Sequence, residues 1–379
     1  MSAIDRGHGA RPGLWSKALR FNWALALLIV AVASVGFLML FSVANGSLDP
    51  WARPQMIRFG LGFAAMFMMA MIDIRFWRAV APVIYGGALA LLTAVEVIGV
   101  IGKGAQRWID LGVITVQPSE VMKVALVLAL AAYYAWLPHE KVSRPLWMAP
   151  PLLLILVPVA MVLRQPDLGT AILLVAGGAA VMFLAGVSLW YFTVGAASTV
   201  GAVTLVMASQ GTDWQLLKDY QFRRIAVFLD PAQDPLGAGY HITQSTIALG
   251  SGGFSGRGFM EGTQSRLNFL PEKHTDFIFT TLAEEFGFIG AASVLALYLL
   301  IIAFCFASMA SNRDRFGALL TGGLATTFFL FFAVNIAMVV GLMPVVGVPL
   351  PLVSYGGSAM MVILLAFGLI QSAHIHRRS

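Results

Sequence analysis

Apolar residues in this chain come in long unbroken runs. Ten of them, 21–43, 56–73, 79–101, 118–137, 147–163, 168–187, 190–209, 277–306, 317–342 and 356–373, are candidate membrane spans. A helix needs about 20 apolar residues to cross a bilayer. Continuous runs exclude a closed β-barrel, whose strands alternate lipid-facing and lumen-facing positions. The pattern predicts an all-α, polytopic integral membrane protein of about ten transmembrane helices, a single membrane domain over residues 1–379 with no internal repeat.

One stretch breaks the pattern. Residues 211–276 are polar and glycine-rich, and a connection of that length without strong secondary structure is a functional site or disordered. Its segment 214–229 mixes apolar and basic side chains and predicts a helix lying at the membrane interface, ended by Asp230-Pro231. The glycine-dense segment 250–262 gives a backbone that can approach a ligand closely or move.

Composition strengthens the membrane reading: 59% of residues are hydrophobic and 11% charged, whereas soluble domains carry about 25% charged residues. The net charge of +6 does not indicate nucleic-acid binding, because the basic residues are scattered through loops. Twelve basic residues, among them Arg20, Arg75, Arg144, Arg315 and Arg377, fall on the side of the termini, against six on the short loops and helix ends of the other side. The positive-inside rule then places both termini in the cytoplasm and the long loop outside. The apolar run after Arg6, Arg11, Lys17 and Arg20 exceeds the core of a signal peptide and reads as a retained first helix. Cys305 is the only cysteine, which excludes a disulfide framework and a cysteine-based metal site.

Four polar groups sit where a membrane protein places them at a cost. Gln117-Pro118-Ser119-Glu120-Val121-Met122-Lys123 opens a helix at its proline. Glu120 and Lys123 are then i and i+3 on one face, as a structural pair or as part of a site. Arg164-Gln165-Pro166-Asp167 is an outer turn in which Asp167 is a candidate helix cap. Arg107-Trp108-Ile109-Asp110 is a short outer segment, readable as an interfacial anchor with solvated charges. The run Glu272-Lys273-His274-Thr275-Asp276 sits at the mouth of an apolar helix, whose positive end stabilises the Asp276 anion. His274 is a structural side chain, a base or a metal ligand. Glu284 and Glu285 lie two turns further on, and a basic partner such as Lys123 or Arg223 is expected for at least one. Residues 343–358 break an apolar region with three prolines and three glycines. Irregular backbone at membrane depth is tolerated where it is buried in protein or lines a cavity.

These residues resemble the SEDS family (shape, elongation, division and sporulation), and within it the RodA branch. The resemblance is carried by residues 117–123, 165–171, 234–241, 270–279, 283–287 and 342–358, from the fourth helix to the last. The block 234–240 and the sequence Gly347-Val348-Pro349-Leu350-Pro351 point to RodA and not to FtsW. The first hundred residues match only in hydropathy.

The resemblance implies a peptidoglycan glycosyltransferase that polymerises lipid II, a disaccharide-pentapeptide on undecaprenyl diphosphate, at the outer face of the bacterial inner membrane. It also implies a class B penicillin-binding protein as partner, a polyprenyl-binding groove, and help from a divalent cation, Mg or Mn. Asp276 matches the aspartate the family treats as essential.

The residues read alone agree. Glycosyl transfer needs a base near the acceptor hydroxyl, which Asp276 can supply. Arg223, Arg224, Lys123, Arg107 or a metal can neutralise the departing diphosphate. Glu120, Asp167, His274 and Ser354 complete the candidate substrate contacts. A lipid flippase and a non-catalytic scaffold are the competing classes. A flippase concentrates charge near the midplane, whereas here charge gathers at the outer mouth.

Overall fold

Capping explains many of the helix starts. Side chains of Asn22, Asp73, Asp167, Ser188 and Asp314 accept from backbone N–H groups of the first turn, satisfying donors that a helix leaves without partners. The computed structural model describes residues 13–102, 105–110, 112, 115–212, 215, 222, 238–267, 269–270 and 272–377. After the short α1 (Leu14–Arg20), long helices follow: α2 (Trp23–Val43), α3 (Ala52–Met71), α4 (Ile74–Ile98), α5 (Pro118–Trp136), α6 (Pro145–Arg164), α7 (Leu168–Leu184) and α8 (Leu189–Ala208). Between α4 and α5 lies an antiparallel three-stranded sheet of β1 (Val100–Gly102), β2 (Ala105–Asp110) and β3 (Thr115–Val116). Then come α9 (Ala238–Ser251), α10 (Thr263–Arg266), α11 (Ile278–Ala310), α12 (Arg315–Val339) and α13 (Gly357–Ile375).

Each of the ten expected spans has its helix. Among the described residues eight are long and apolar enough to cross a membrane. Of the other two, α7 is shorter, and α3 carries Arg53 and Arg58 in its first two turns. The chain is a multi-pass helical membrane protein. α12 is its axis, packed on α5, α7, α11 and α13. α8 is the opposite case, with no buried residue.

At one end, polar ties join the first and last spans. Gln371 Nε2 donates to Asn22 O at 3.0 Å, Asn22 N donates back to Gln371 Oε1, and Ser372 Oγ donates to Ile72 O at 2.7 Å. The start of α2 and the end of α13 therefore share one side, as an even number of crossings requires.

The long loop departs from the expectation of little secondary structure. It contains α9, whose Ser245 hydroxyl lies 2.9 Å from Thr280 Oγ1 on α11 and donates to Val339 O at the end of α12. The glycine-dense segment is also not a free hinge. α11 breaks at Gly287 (φ 63°, ψ −161°), and the loop backbone fills the break. Arg257 N donates to Glu284 O and Gly258 N to Glu285 O, both at 3.0 Å, while Phe288 N donates to Gly253 O at 2.9 Å. A Cβ on Gly252 or Gly256 would stand 2.1 Å from a carbonyl oxygen of α11. Those glycines serve close approach. The expected interfacial helix 214–229 falls, apart from Gln215 and Phe222, outside the described residues.

Candidate active site

The site lies at the end of the bundle opposite the Asn22–Gln371 tie. It begins with α5, where Pro118 at the first helical position sets the entry. The predicted i, i+3 pair forms: Lys123 Nζ donates to Glu120 Oε1 at 2.7 Å, and both side chains are buried. The ammonium also stands 3.9 Å from the centroid of the Phe331 ring, a cation–π contact strengthened by desolvation. Glu120 Oε2 has no partner. Both residues line a slender cavity of about 30 Å³ walled by Thr327, Phe331 and Phe367 among others, which is room for water. A buried pair with one unanswered carboxylate oxygen, in residues that line a cavity, is an incomplete polar network that a substrate or solvent molecule reaching it would complete.

One turn further along α12, Asn335 donates through Nδ2 to Asp276 O at 3.0 Å and to Val348 O at 2.8 Å. Four residues of helix rise about 6 Å, so the Lys123 contact and the Asp276 contact sit one turn apart on the same helix. Asp276 is not the cap of α11. The N-cap position belongs to Phe277, one residue further on, which makes no side-chain cap bond. Its carboxylate instead lies near the proline-rich segment, with Oδ2 3.8 Å from where a Gly347 Cβ would be. Gly347 has φ +70°, so the backbone conformation favours glycine there.

The turn before Asp276 is held from several sides. Ser354 Oγ donates to Thr275 O at 2.5 Å and accepts from Leu350 N at 2.8 Å. Tyr355 N donates to His274 O at 2.8 Å. The His274 ring stacks on Trp51 at 4.6 Å and 15°. Lys273 Nζ donates to Ser265 O at 2.6 Å, and burial pulls its pKa below the usual lysine range. Glu272 has φ 54°, a conformation that costs a non-glycine residue about 1–3 kcal/mol and persists only where the surroundings enforce it.

Several candidate ligands also brace the fold. Arg107 Nε donates to Gln165 O at 2.8 Å and its Nη2 to Pro166 O, so the guanidinium clamps β2 to the α6–α7 turn. Asp167 caps α7 through Thr170 N and Thr170 Oγ1, and accepts from Gln117 Nε2 at 3.2 Å. Ser354 is committed to the two backbone bonds above. Arg223 and Arg224 lie outside the described residues. The expected basic partner of Glu284 or Glu285 is not Lys123, which is bound to Glu120. Glu284 accepts from Thr263 Oγ1, Gln264 N and Ser265 N at 2.9–3.3 Å, and Glu285 from Ser42 Oγ. Among the described residues no group of three His, Cys, Asp or Glu is placed to hold a metal ion.

Sequence reasoning missed Trp51, Gln55, Arg58 and Asn335. The first three occupy i, i+4 and i+7 at the start of α3: Trp51 stacks on His274, Gln55 Nε2 donates to Ser354 O at 2.9 Å, and Arg58 lies over the Tyr355 ring at 5.3 Å. That spacing is a helix face. It was hidden because the apolar run begins at 56, whereas the helix begins at Ala52.

The fold and site together define a polytopic helical membrane protein with an ionisable centre at one mouth of the bundle. The chain belongs to the Cell cycle protein family of FtsW, RodA and SpoVE, whose profile matches residues 18–379. It is 43% identical to the peptidoglycan glycosyltransferase MrdB of Escherichia coli K12, over 96% of each chain. To the peptidoglycan glycosyltransferase RodA of Treponema pallidum it is 31% identical, over 93% of this chain and 97% of that one. The crystal structure of the rod shape determining protein RodA of Thermus thermophilus superposes with a TM-score of 0.70 at 29% identity, covering 95% of this chain and 98% of that one. A chain of a peptidoglycan synthase complex, solved to explain how polymerization and crosslinking are coordinated, superposes with a TM-score of 0.80 at 33% identity, covering 93% and 97%.

Proposed function

We infer that this chain is a peptidoglycan glycosyltransferase that extends glycan strands from lipid II, with the Asp276 mouth outside the bacterial inner membrane and both termini in the cytoplasm. The observation that carries this is Asp276 at the start of α11, braced through its backbone carbonyl by Asn335, one turn of α12 from Phe331, whose ring the buried Lys123 ammonium faces. The acceptor sugar hydroxyl gives its proton to Asp276 as its oxygen attacks the anomeric carbon of the donor, and the bond to the lipid diphosphate breaks. An α-linked donor and a β-linked product mean inversion in a single displacement, with no covalent enzyme intermediate. Diphosphate is a good leaving group and needs charge neutralisation, not a strong acid. Lys123 is a buried cation on a cavity wall and the candidate for that neutralisation, with Arg223 and Arg224 as further candidates.

A divalent cation, Mg or Mn, would supply Lewis-acid stabilisation of the departing diphosphate. With no three-ligand protein site among the described residues, it would be held by Asp276 together with substrate phosphate oxygens, the usual manner for Mg²⁺. The partner we propose is a class B penicillin-binding protein, in keeping with the likeness to a chain of a synthase complex. Incubating the purified chain with lipid II, alone and with such a partner, tests the reading. Glycan strands from the wild type and none from a folded Asp276→Asn variant are expected. Equal polymerisation by both would overturn the role of Asp276, and lipid II translocation without polymerisation would favour a flippase.

A further inference from the structure

α13 begins without a cap. Its N-cap is Gly356, no side chain accepts from the first turn, and the first intrahelical bond is Met360 N to Gly356 O. The N–H groups of Gly357, Ser358 and Ala359 are thus the orphan donors of a 19-residue helix, at the positive end of its dipole.

Two further observations concern the same turn. The Ser358 side chain is 3% exposed and its hydroxyl has no hydrogen-bond partner among the described residues. Arg58 reaches in from α3: its guanidinium carbon stands 3.4 Å from where a Gly357 Cβ would be, and its Nη1 is buried without a partner. A cation next to a helix N-terminus is the electrostatically wrong sign. The Tyr355 ring offsets part of that cost through its face. The remaining donors have no acceptor among the described residues.

Fixed cationic and N–H donors converging without an acceptor specify an anion with several oxygens. The turn is also tied to the catalytic mouth, because Tyr355 N donates to His274 O, two residues before Asp276. Tyr355, Gly356 and Gly357 are partly exposed, so the turn is open to a ligand. The geometry points to a phosphate-binding subsite formed by Arg58, Ser358 and the first turn of α13, which takes a diphosphate group of the polyprenyl-linked substrate or product. This deepens the glycosyltransferase reading and rests on it for the identity of the ligand.

Equilibrium binding of undecaprenyl diphosphate to the purified full-length chain in detergent tests the subsite, with undecaprenol as the uncharged control. Carrying the Asp276→Asn substitution throughout keeps binding separate from turnover. Arg58→Gln is expected to weaken diphosphate-lipid binding by about tenfold or more, the range of a charge-assisted bond. Ser358→Ala should weaken it about two- to fivefold. Arg58→Lys should recover part of the affinity, since the charge remains without the planar fork. Undecaprenol binding should stay unchanged in all three. Wild-type diphosphate affinity in Arg58→Gln overturns the proposal. So does equal weakening of undecaprenol binding, or displacement of the diphosphate lipid by phosphatidylglycerol at matched concentration. If Arg58→Gln fails to fold, Ser358→Ala and Arg58→Lys decide, and wild-type affinity in both overturns it. Normal binding by the variants, while the unsubstituted protein polymerises lipid II, sinks the subsite alone. Arg58-dependent binding by a wild type that never polymerises sinks the glycosyltransferase reading alone.

Discussion

Two regions of this molecule bury carboxylates inside the bundle, and they use them differently. Two turns into α11, Glu284 spends both oxygens on its own loop, accepting from Thr263, Gln264 and Ser265, while Glu285 takes the Ser42 hydroxyl on one oxygen and keeps the other buried without a hydrogen-bond partner among the described residues. At the start of α5, Glu120 spends one oxygen on Lys123 and leaves the other without a partner on the wall of a cavity. Burial alone therefore does not mark a functional charge. A carboxylate answered wholly by the chain, as Glu284 is, holds the fold, and Glu120, with one unanswered oxygen in a residue that lines a cavity, is the candidate for a further role.

The largest effect expected belongs to neither region but to the turn between them. Asp276→Asn should keep the fold, since Asn335 of α12 braces Asp276 through its backbone carbonyl, and should lower polymerisation by about 10²–10⁴-fold, the range of a lost general base. Circular dichroism and a lipid II polymerisation assay check both halves. Near-normal chain growth would remove Asp276 from the chemistry.

In the Glu284 region of α11, Gly256→Ala is expected to destabilise by at least about 1–3 kcal/mol, the usual cost of forcing volume into a packed site. The new Cβ would stand 2.1 Å from Glu285 O at a residue with φ +84°. Glu284→Ala strands three donors and should cost about 1–3 kcal/mol. In both variants a lower melting temperature should account for the lost activity. A Glu284→Ala protein that melts like wild type yet cannot polymerise would break the comparison.

The smallest effect concerns Lys273. Burial lowers its pKa in the folded protein below the ordinary 10.5, so the unfolded chain binds that proton more tightly. Its contribution to stability should rise with pH through the interval below 10.5 and level off above it. Thermal melts across the alkaline range should show a shallower rise in Lys273→Met, and an unchanged slope would contradict the assignment.

Much of this was legible in the sequence because the bilayer is a strict solvent. Unbroken apolar runs gave all ten long helices, and the i, i+3 spacing of Glu120 and Lys123 gave their pair. What was hidden depends on contacts across the bundle. Arg107, Asp167 and Ser354 are ordinary polar residues in a list, and only their partners reveal them as braces. The glycines of 250–262 read equally as hinges or as points of close approach, and the choice was made by a break in α11 some thirty residues away. Asn335 sits inside an apolar helix, where a lone amide carries no positional signal. The first turns of α3 were lost because a hydropathy run begins after its polar start, so Trp51 and Gln55 fell outside the span and Arg58 was counted only as a topological charge.

The most direct test of the contrast is the double substitution Glu120→Leu with Lys123→Met, assayed for lipid II polymerisation in protein shown to be folded. Replacing both members of a buried pair by apolar residues of similar size is often neutral for stability. The account predicts a well-folded, inactive protein, because the charges face the cavity for the substrate's sake. A well-folded double variant that still polymerises lipid II at the wild-type rate would show that this pair, like Glu284, serves only the fold.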